Sequence, residues 1–379
     1  MKRVVLIRSN PVNPNPAVEK VATSLKEKGY RVTILGWDRG EEYDERRGVI
    51  TLPCGEVDII RFGIPAVFSG GIKKNLSALI KFQKKISSWL TAHKDEYDIV
   101  HAFDLDTGIT AMKMAHKHKK GFVYQIQDFY AASRLKENTI FYELVKRIEF
   151  AVINNADATV ICTEARKQQI AGSRPKNLAV VHNTPGYISL DKIEKLHLNP
   201  DRMKIAYVGC FEKIRLIKEL IDCIAEDARF ELHIGGFGIL EDYVKESAEK
   251  CERIIYYGKL PYDKVLSLEA SCDIMTALYA PDVANHKYTA PNKVYESMLL
   301  QKPVIMCKNT GWDDVLDKYG TGILIEPTRD GLKDGLDELY NKKPEWATMG
   351  SNGKALYNEK YSWSVMKERM QSLYAKLYE

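Results

Sequence analysis

One pattern runs twice along this chain of 379 residues, and it restricts the fold more than any other feature. "RVVLIRS" is an apolar run of strand length, "NPAVEKVATSLKEKG" has helical spacing, and "YRVTILGW" is a second apolar run. Further strand-like runs follow at "YDIVHAF", "GFVYQIQ", "DATVICT" and "LAVVHN". The alternation restarts at "MKIAYVG", passes through the helical "IKELIDCIAED", and continues with "RFELHIGG", "RIIYYGK", "CDIMTALY", "KPVIMCK" and "GILIEP". Strands that read as continuous apolar runs are buried on both faces, and the helices between them supply the crossovers of a parallel sheet. Two such series predict an α/β protein built from two Rossmann-like, doubly wound domains. The least strand-like stretch, "GYISLDKIEKLHLNPDR", places a first domain at residues 1–186, a linker at 187–203 and a second domain at 204–360. The terminal "KYSWSVMKERMQSLYAKLYE" has helical spacing and reads as a last helix over 363–379.

Composition excludes several classes. Seven scattered cysteines, none in a Cys-x-x-Cys pair, predict reduced thiols in a cytoplasmic protein and neither a disulfide framework nor a zinc site. "MKRVVLIRSN" holds too few consecutive apolar residues for a signal segment, and no apolar run approaches the roughly 20 residues that span a bilayer. A net charge of +5 does not predict a nucleic-acid partner but leaves room for one basic surface. The stretch from Arg61 to Lys94 has no acidic residue. In a helix, its Leu76, Leu79, Ile80, Phe82, Ile86, Trp89 and Leu90 fall on one side, with Lys73, Lys74, Lys81, Lys84 and Lys85 on the other. Segment 73–90 therefore suits peripheral contact with an anionic membrane, or equally a core-packed helix with a solvated lysine face.

Open α/β sheets bind ligands beyond the carboxyl ends of their strands. Three loops of the second half lie there. "YVGCFEKIRLIKEL" sets Gly209 after the first strand, with Lys213, Arg215 and Lys218 following. "HIGGFGILEDY" sets Gly236 and Gly238 between a strand and a helix. "TAPNKVYESMLLQKPV" puts Pro291, Asn292 and Lys293 at the start of a helix, where unbonded N–H groups favour an anion, with Glu296 one turn in. Glycines admit a backbone close to a ligand, and the cations and helix N-terminus suit a phosphate. No Gly-x-Gly-x-x-Gly follows either first strand, and no Gly-x-x-x-x-Gly-Lys-Ser/Thr, Gly-x-Ser-x-Gly or His-Glu-x-x-His occurs.

These stretches resemble the GT-B glycosyltransferases, most of all the large retaining family 4 (group 1) of polysaccharide enzymes. "NPAVEKVATSLKEKGYRVTILGWDR" is similar to that family's first helix and second strand, and "YDIVHAFDLDTGITAMKMAHKHKKGFVYQIQDFY" to its acceptor-domain stretch. "YVGCFEKIRLIKEL" resembles the loop that binds the donor phosphates, with Arg215 at its basic position and Lys213 and Lys218 competing for it. "APNKVYESMLLQKPVI" resembles the Ser-Pro-Asn-Lys form of the family's signature, whose glutamate binds ribose. The resemblance implies two domains facing a central cleft, with the last helix packing back on the first domain. It implies a UDP- or GDP-sugar donor in the second domain and a glycan or lipid-linked glycan acceptor on the first. It implies transfer with retention in surface polysaccharide synthesis, with neither cofactor nor metal. Lys293 is then expected at the phosphates and Glu296 at the ribose, neither of them holding the core. Asp104, Asp128, Lys293 and Arg215 are the expected catalytic set.

Three departures from the family pattern stand out. Tyr288 occupies the place of a glutamate that commonly meets the transferred sugar, and Phe103 and Gln127 the places of common histidines. His101 is expected to point into the sheet. The departures keep two other readings in view: a catalytically silent nucleotide-binding partner of another transferase, and a nucleotide-sugar 2-epimerase of the same fold.

Overall fold

The computed structural model describes residues 2–12, 14–67 and 71–378, of which 71–73 and 378 are described by backbone only. The chain divides into two compact units: Met1–His182 together with Met366–Glu379, and Asn183–Val365.

The first unit is an eight-stranded sheet of order β3-β4-β2-β1-β5-β6-β7-β8. Its strands are β1 (Arg3–Arg8), β2 (Arg31–Asp38), β3 (Tyr43–Leu52), β4 (Gly55–Gly63), β5 (Ile99–Phe103), β6 (Gly121–Ile126), β7 (Ala158–Ile161) and β8 (Leu178–Val180). All pairings are parallel except β3 with β4. The central strands are buried end to end, as their apolar runs require: every residue of β5 and of β7 is buried. The β3–β4 hairpin is absent from the pattern read in the sequence. β3 is an edge strand, exposed along most of its length and carrying Asp44, Glu45, Arg46 and Arg47, which guard it against further pairing.

Six helices complete this part of the chain: α1 (Pro16–Glu27), α2 (Gly71–Ala92), α3 (Leu105–His118), α4 (Tyr130–Arg134), α5 (Ile140–Asn155) and α6 (Arg166–Gln169). Asn15 caps α1 by accepting from the Val18 N–H, with Pro16 in the first turn. α3 packs against both α2 and α5.

The second unit is a six-stranded, wholly parallel sheet of order β11-β10-β9-β12-β13-β14. It comprises β9 (Met203–Cys210), β10 (Phe230–Phe237), β11 (Ile254–Tyr256), β12 (Ile274–Ala277), β13 (Val304–Cys307) and β14 (Gly322–Ile325). Its helices are α7 (Ile217–Glu226), α8 (Glu241–Lys250), α9 (Tyr262–Ser271), α10 (Asn292–Leu300), α11 (Asp313–Tyr319), α12 (Arg329–Asn341) and α13 (Trp346–Leu356). α7 and α12 bury Leu220, Ile224, Leu332 and Leu336 against Ile205, Leu232 and Ile305. Val294 and Met298 of α10 pack with Val304, Met306 and Leu356. The stretch expected as a linker lies within this unit: Ile188 and Leu190 pack against the cluster around α10.

The last helix, α14 (Trp363–Ala375), returns to the first unit. Tyr374 shares a 2.7 Å hydrogen bond with His101 Nδ1, Gln371 donates to the Ser24 carbonyl, and Lys367 pairs with Glu27. His101 is fully buried, with Nε2 3.0 Å from Gln125 Oε1, and burial depresses its pKa to about 3. It is a neutral core residue.

Candidate functional site

Among the parallel strands of each sheet the order reverses at one point: between β1 and β5 in the first unit, and between β9 and β12 in the second. Connections leaving a sheet in opposite directions open a crevice at the carboxyl ends of those strands. The residues singled out in the sequence gather at these two places.

In the second unit, β9 ends at Gly209 and Cys210. A Cβ on Gly209 would come no nearer than 3.9 Å to a neighbouring atom, the Tyr207 hydroxyl, so packing does not demand this glycine and space lies open above it. Gly236 and Gly238 differ. Both have φ near +150°, and a Cβ on Gly236 would lie 1.9 Å from the Gly209 carbonyl oxygen. A Cβ on Gly238 would lie 2.6 Å from the Phe211 carbonyl. These two glycines, expected as ligand contacts, are needed first to let β10 close on the β9 loop.

The three cations of that loop separate. Lys213 is exposed, and Lys218 turns aside with Nζ 4.7 Å from the centre of the Tyr243 ring. Arg215 lies with Cζ 3.7 Å over the Tyr279 ring, and its Nη1 is buried with no hydrogen-bond partner among the described residues. A buried guanidinium N–H without a partner is ready to donate to an anion.

Pro291 is the N-cap of α10, and no side chain caps the helix. The Val294 N–H donates to the Pro291 carbonyl at 3.1 Å, and no side chain caps the N–H groups of Asn292 and Lys293 before it. Asn292 is exposed and accepts from Asn183 at 2.8 Å. Lys293 departs from expectation. Its Nζ lies 2.6 Å from Glu269 Oε1 and 2.8 Å from Glu296 Oε2, and the side chain is 16% exposed. Glu296 is 1% exposed, and its Oε1 accepts from the Tyr262 hydroxyl at 2.9 Å. The two residues thus form the centre of a buried cluster rather than an open ligand-facing pair, and they do help to hold the unit together. Burial opposes the Lys293 ammonium, but Glu269 and Glu296 more than offset it and its pKa is raised. Burial likewise raises Glu269, with Lys293 pulling the other way.

Glu269 and Tyr262 escaped the sequence reading. In "VLSLEAS" a lone carboxylate inside an apolar run was the available signal: every residue from Val265 to Ala270 is buried.

In the first unit, Asp104 follows β5 and caps no N–H of α3 with its side chain. It pairs with Arg8 at the end of β1, and its Oδ1 accepts from the backbone of Gln127 at 2.7 Å and of Asp128 at 3.2 Å. Both oxygens are committed to protein groups. Asp104, expected as catalytic, instead ties three strand ends together. Its backbone sits at φ 59°, ψ 169°, a region that is essentially glycine's. Asp128 is exposed on the loop after β6. Among the described residues no group of three His, Cys, Asp or Glu side chains is placed to hold a metal ion.

The Glycosyltransferase Family 4 model matches residues 17–184, and the Glycosyl transferases group 1 model matches residues 189–356. No curated protein matches by sequence. Sucrose-phosphate synthase (tll1590) from Thermosynechococcus elongatus is similar in fold, with a TM-score of 0.77 at 17% identity over 100% of this chain and 99% of that one. Anabaena Alr3699/HepE in complex with UDP-glucose matches with a TM-score of 0.71 at 15% identity, over 99% of this chain and 100% of that one. A glycosyltransferase from Rickettsia africae matches with a TM-score of 0.68 at 13% identity, over 100% and 99%. At such identities the structures speak for fold alone, and the two family models speak for kinship. The chain belongs to the family 4, group 1 glycosyltransferases of GT-B fold and is a nucleotide-sugar glycosyltransferase.

Proposed function

We propose that this enzyme moves a sugar from a UDP- or GDP-sugar held by the second unit to a glycan or lipid-linked glycan held by the first, with retention, in surface polysaccharide synthesis. Arg215 carries the donor side of this reading: a buried N–H without a partner among the described residues, at the β9–β12 switch point, in the same unit as an uncapped α10. When the donor's glycosidic bond breaks, charge builds on the departing diphosphate. Arg215 and the first N–H groups of α10 take up that charge, and no metal is assigned to the task. The UDP-glucose complex of the Anabaena protein supports a uridine donor. Retention and the polysaccharide setting rest on the family likeness. Lys293 acts as a positioning residue for Glu296. The ribose reaches Glu296 by displacing the Tyr262 hydroxyl, whose residue is 47% exposed. Exposed Asp128 is the carboxylate assigned to the acceptor hydroxyl.

The test is diphosphate release from a panel of nucleotide-sugars, with and without EDTA, together with UDP and GDP titrations. Arg215→Gln is expected to lower kcat about 10²–10³-fold. Glu296→Gln should weaken nucleotide binding roughly tenfold, as for loss of a charged hydrogen bond, and Tyr262→Phe should strengthen it by freeing an acceptor. Turnover by Arg215→Gln at the wild-type rate would remove the phosphate assignment. Unchanged nucleotide affinity in both Glu296→Gln and Tyr262→Phe would remove the ribose assignment, and complete loss of activity in EDTA with rescue by Mg²⁺ would restore a metal.

The acceptor side includes peripheral membrane contact. No described helix is long and apolar enough to cross a membrane. In α2, Phe82, Ile86, Trp89 and Leu90 are buried, whereas Leu76 and Ile80 stay 49% and 45% exposed beside exposed Lys74, Lys81 and Lys84. The side chain of Lys73 lies outside the described residues. The early turns of α2 thus combine apolar and cationic groups as an anionic lipid surface requires. The protein should sediment with anionic vesicles and release as salt rises; equal sedimentation with neutral vesicles, or none with either, would exclude this contact.

A further inference from the structure

The first unit holds a cluster of arginines that the donor chemistry does not use. Arg8 ends β1, Arg39 follows β2, and Arg134 closes α4. They are far apart in sequence, and the β1–β5 switch point brings them together. Arg39 Nη2 donates to the Ser9 carbonyl at 2.9 Å, Ser9 Oγ donates to Asp106 at 3.0 Å, and Arg134 Nη2 lies 3.3 Å from the same Asp106 oxygen. Arg8 pairs with Asp104. Three guanidinium groups therefore meet two carboxylates by direct contact, and Asp128 adds its charge to Arg8 and Asp104 from the loop after β6.

Of the three, Arg39 alone makes no ion pair among the described residues. Its Nε is buried and finds no hydrogen-bond partner among the described residues, and no carboxylate pairs with its guanidinium, which stacks 4.3 Å over Trp37. Burial depresses its pKa; the nearby charge of Asp106 opposes that, and those of Arg134 and Arg8 add to it. Arg134 is 40% exposed, with Cζ 4.3 Å over the Tyr130 ring, so the cluster opens to solvent on that side. Both strand ends that frame it are strained. Val12, buried and β-branched, has φ +51°, and Asp104 has φ +59°. Such backbone is kept where the surrounding structure dictates it, which is commonly at a binding site.

We propose that Arg39 and Arg134 form a subsite for a phosphate group on the acceptor. Planar guanidinium forks match phosphate oxygens in pairs, and a group that already leaves a buried N–H unbonded gains a bond on binding without losing one. The phosphate belongs either to a soluble sugar phosphate or to the linkage of a lipid-carried glycan. The subsite holds the acceptor by its phosphate and fixes its orientation on the first unit. This inference rests on the first unit being the acceptor side, but not on which residues bind the donor.

The experiment uses the full chain with its donor site saturated by UDP. Three probes are titrated: glucose 6-phosphate, glucose, and a polyprenyl phosphate in neutral-lipid vesicles. At least one phosphorylated probe is expected to bind, to weaken as salt rises, and to lose about tenfold or more in Arg39→Gln and in Arg134→Gln, while glucose does not bind. UDP affinity should stay within about twofold of wild type in both variants, and an unchanged thermal melting profile shows that the first unit still folds. Arg134 is the safer of the two, being partly exposed. Binding of glucose 6-phosphate alone would assign a soluble acceptor, and of the polyprenyl phosphate alone a lipid-linked one. Binding of neither, equal binding of glucose, or unchanged affinity in both variants would overturn the proposal while leaving the donor reading intact; loss of UDP binding in wild type would instead strike the donor reading.

Discussion

Lys293→Ala should destabilise the second unit by about 3–5 kcal/mol, the usual penalty for taking one partner from a buried ion cluster. The substitution leaves Glu269 and Glu296 facing each other, each 1% exposed, with no cation between them. For a unit of this size the melting transition should fall by roughly 6–20 °C. The pH dependence has a definite sign. The raised Lys293 pKa means that its contribution is fully present below the ordinary lysine range and is lost only as strongly alkaline pH passes the raised value. In the variant, the deficit should shrink as pH falls, because the orphaned carboxylates can then take up protons. Adding Glu269→Gln to Lys293→Met should recover at least about 1 kcal/mol relative to Lys293→Met alone, since the charge left without a partner is halved. Calorimetry of the three variants between about pH 5 and about pH 8 checks this. A Lys293→Ala protein that melts with wild type would show that the lysine is an ordinary surface cation.

A comparable loss is expected from Gly236→Ala, for a different reason. The new methyl would meet the Gly209 carbonyl oxygen at 1.9 Å, a backbone atom that cannot rotate away. The φ of +148° adds strain that any L side chain would suffer. Together these should cost about 3–5 kcal/mol, in the range where a named steric cause is required. Relief requires β10 to draw back from β9, which moves the Gly209 peptide and the loop leading to Arg215. Nucleotide affinity should therefore fall even at temperatures where the variant is folded. Gly209→Ala gives the contrast: with 3.9 Å of room, it should leave stability nearly unchanged and disturb nucleotide binding alone. Denaturant titrations beside UDP titrations separate the two; equal stability in both alanine variants would refute the packing argument.

The strands of both sheets were readable because buried parallel strands are apolar nearly throughout, as "VVLI", "IAYV" and "VIMC" are. The β3–β4 hairpin was not, because an edge strand such as "YDERRGVITL" is polar for the reason that it is exposed. The α10 start was legible as a helix N-terminus from Pro291 and its followers. The direction of Lys293 was not, since Glu269 lies on another helix and only the packing of α9 beside α10 brings it within 2.6 Å. Arg39 and Arg134 were invisible for the same reason: nothing in a linear reading joins residues separated by most of a domain.

The return of α14 to the first unit has a consequence for how the molecule is made. His101 meets Tyr374, and the backbone N–H of His182 lies 3.0 Å from the Met366 sulfur. The first unit is thus closed by residues made after the whole of the second, which is a passage of chain set between its parts. At about 5–20 residues per second of synthesis, the second unit has all of its strands while the first still waits for its final helix. The amino-terminal sheet is therefore sealed only after the strands of the second unit have been made.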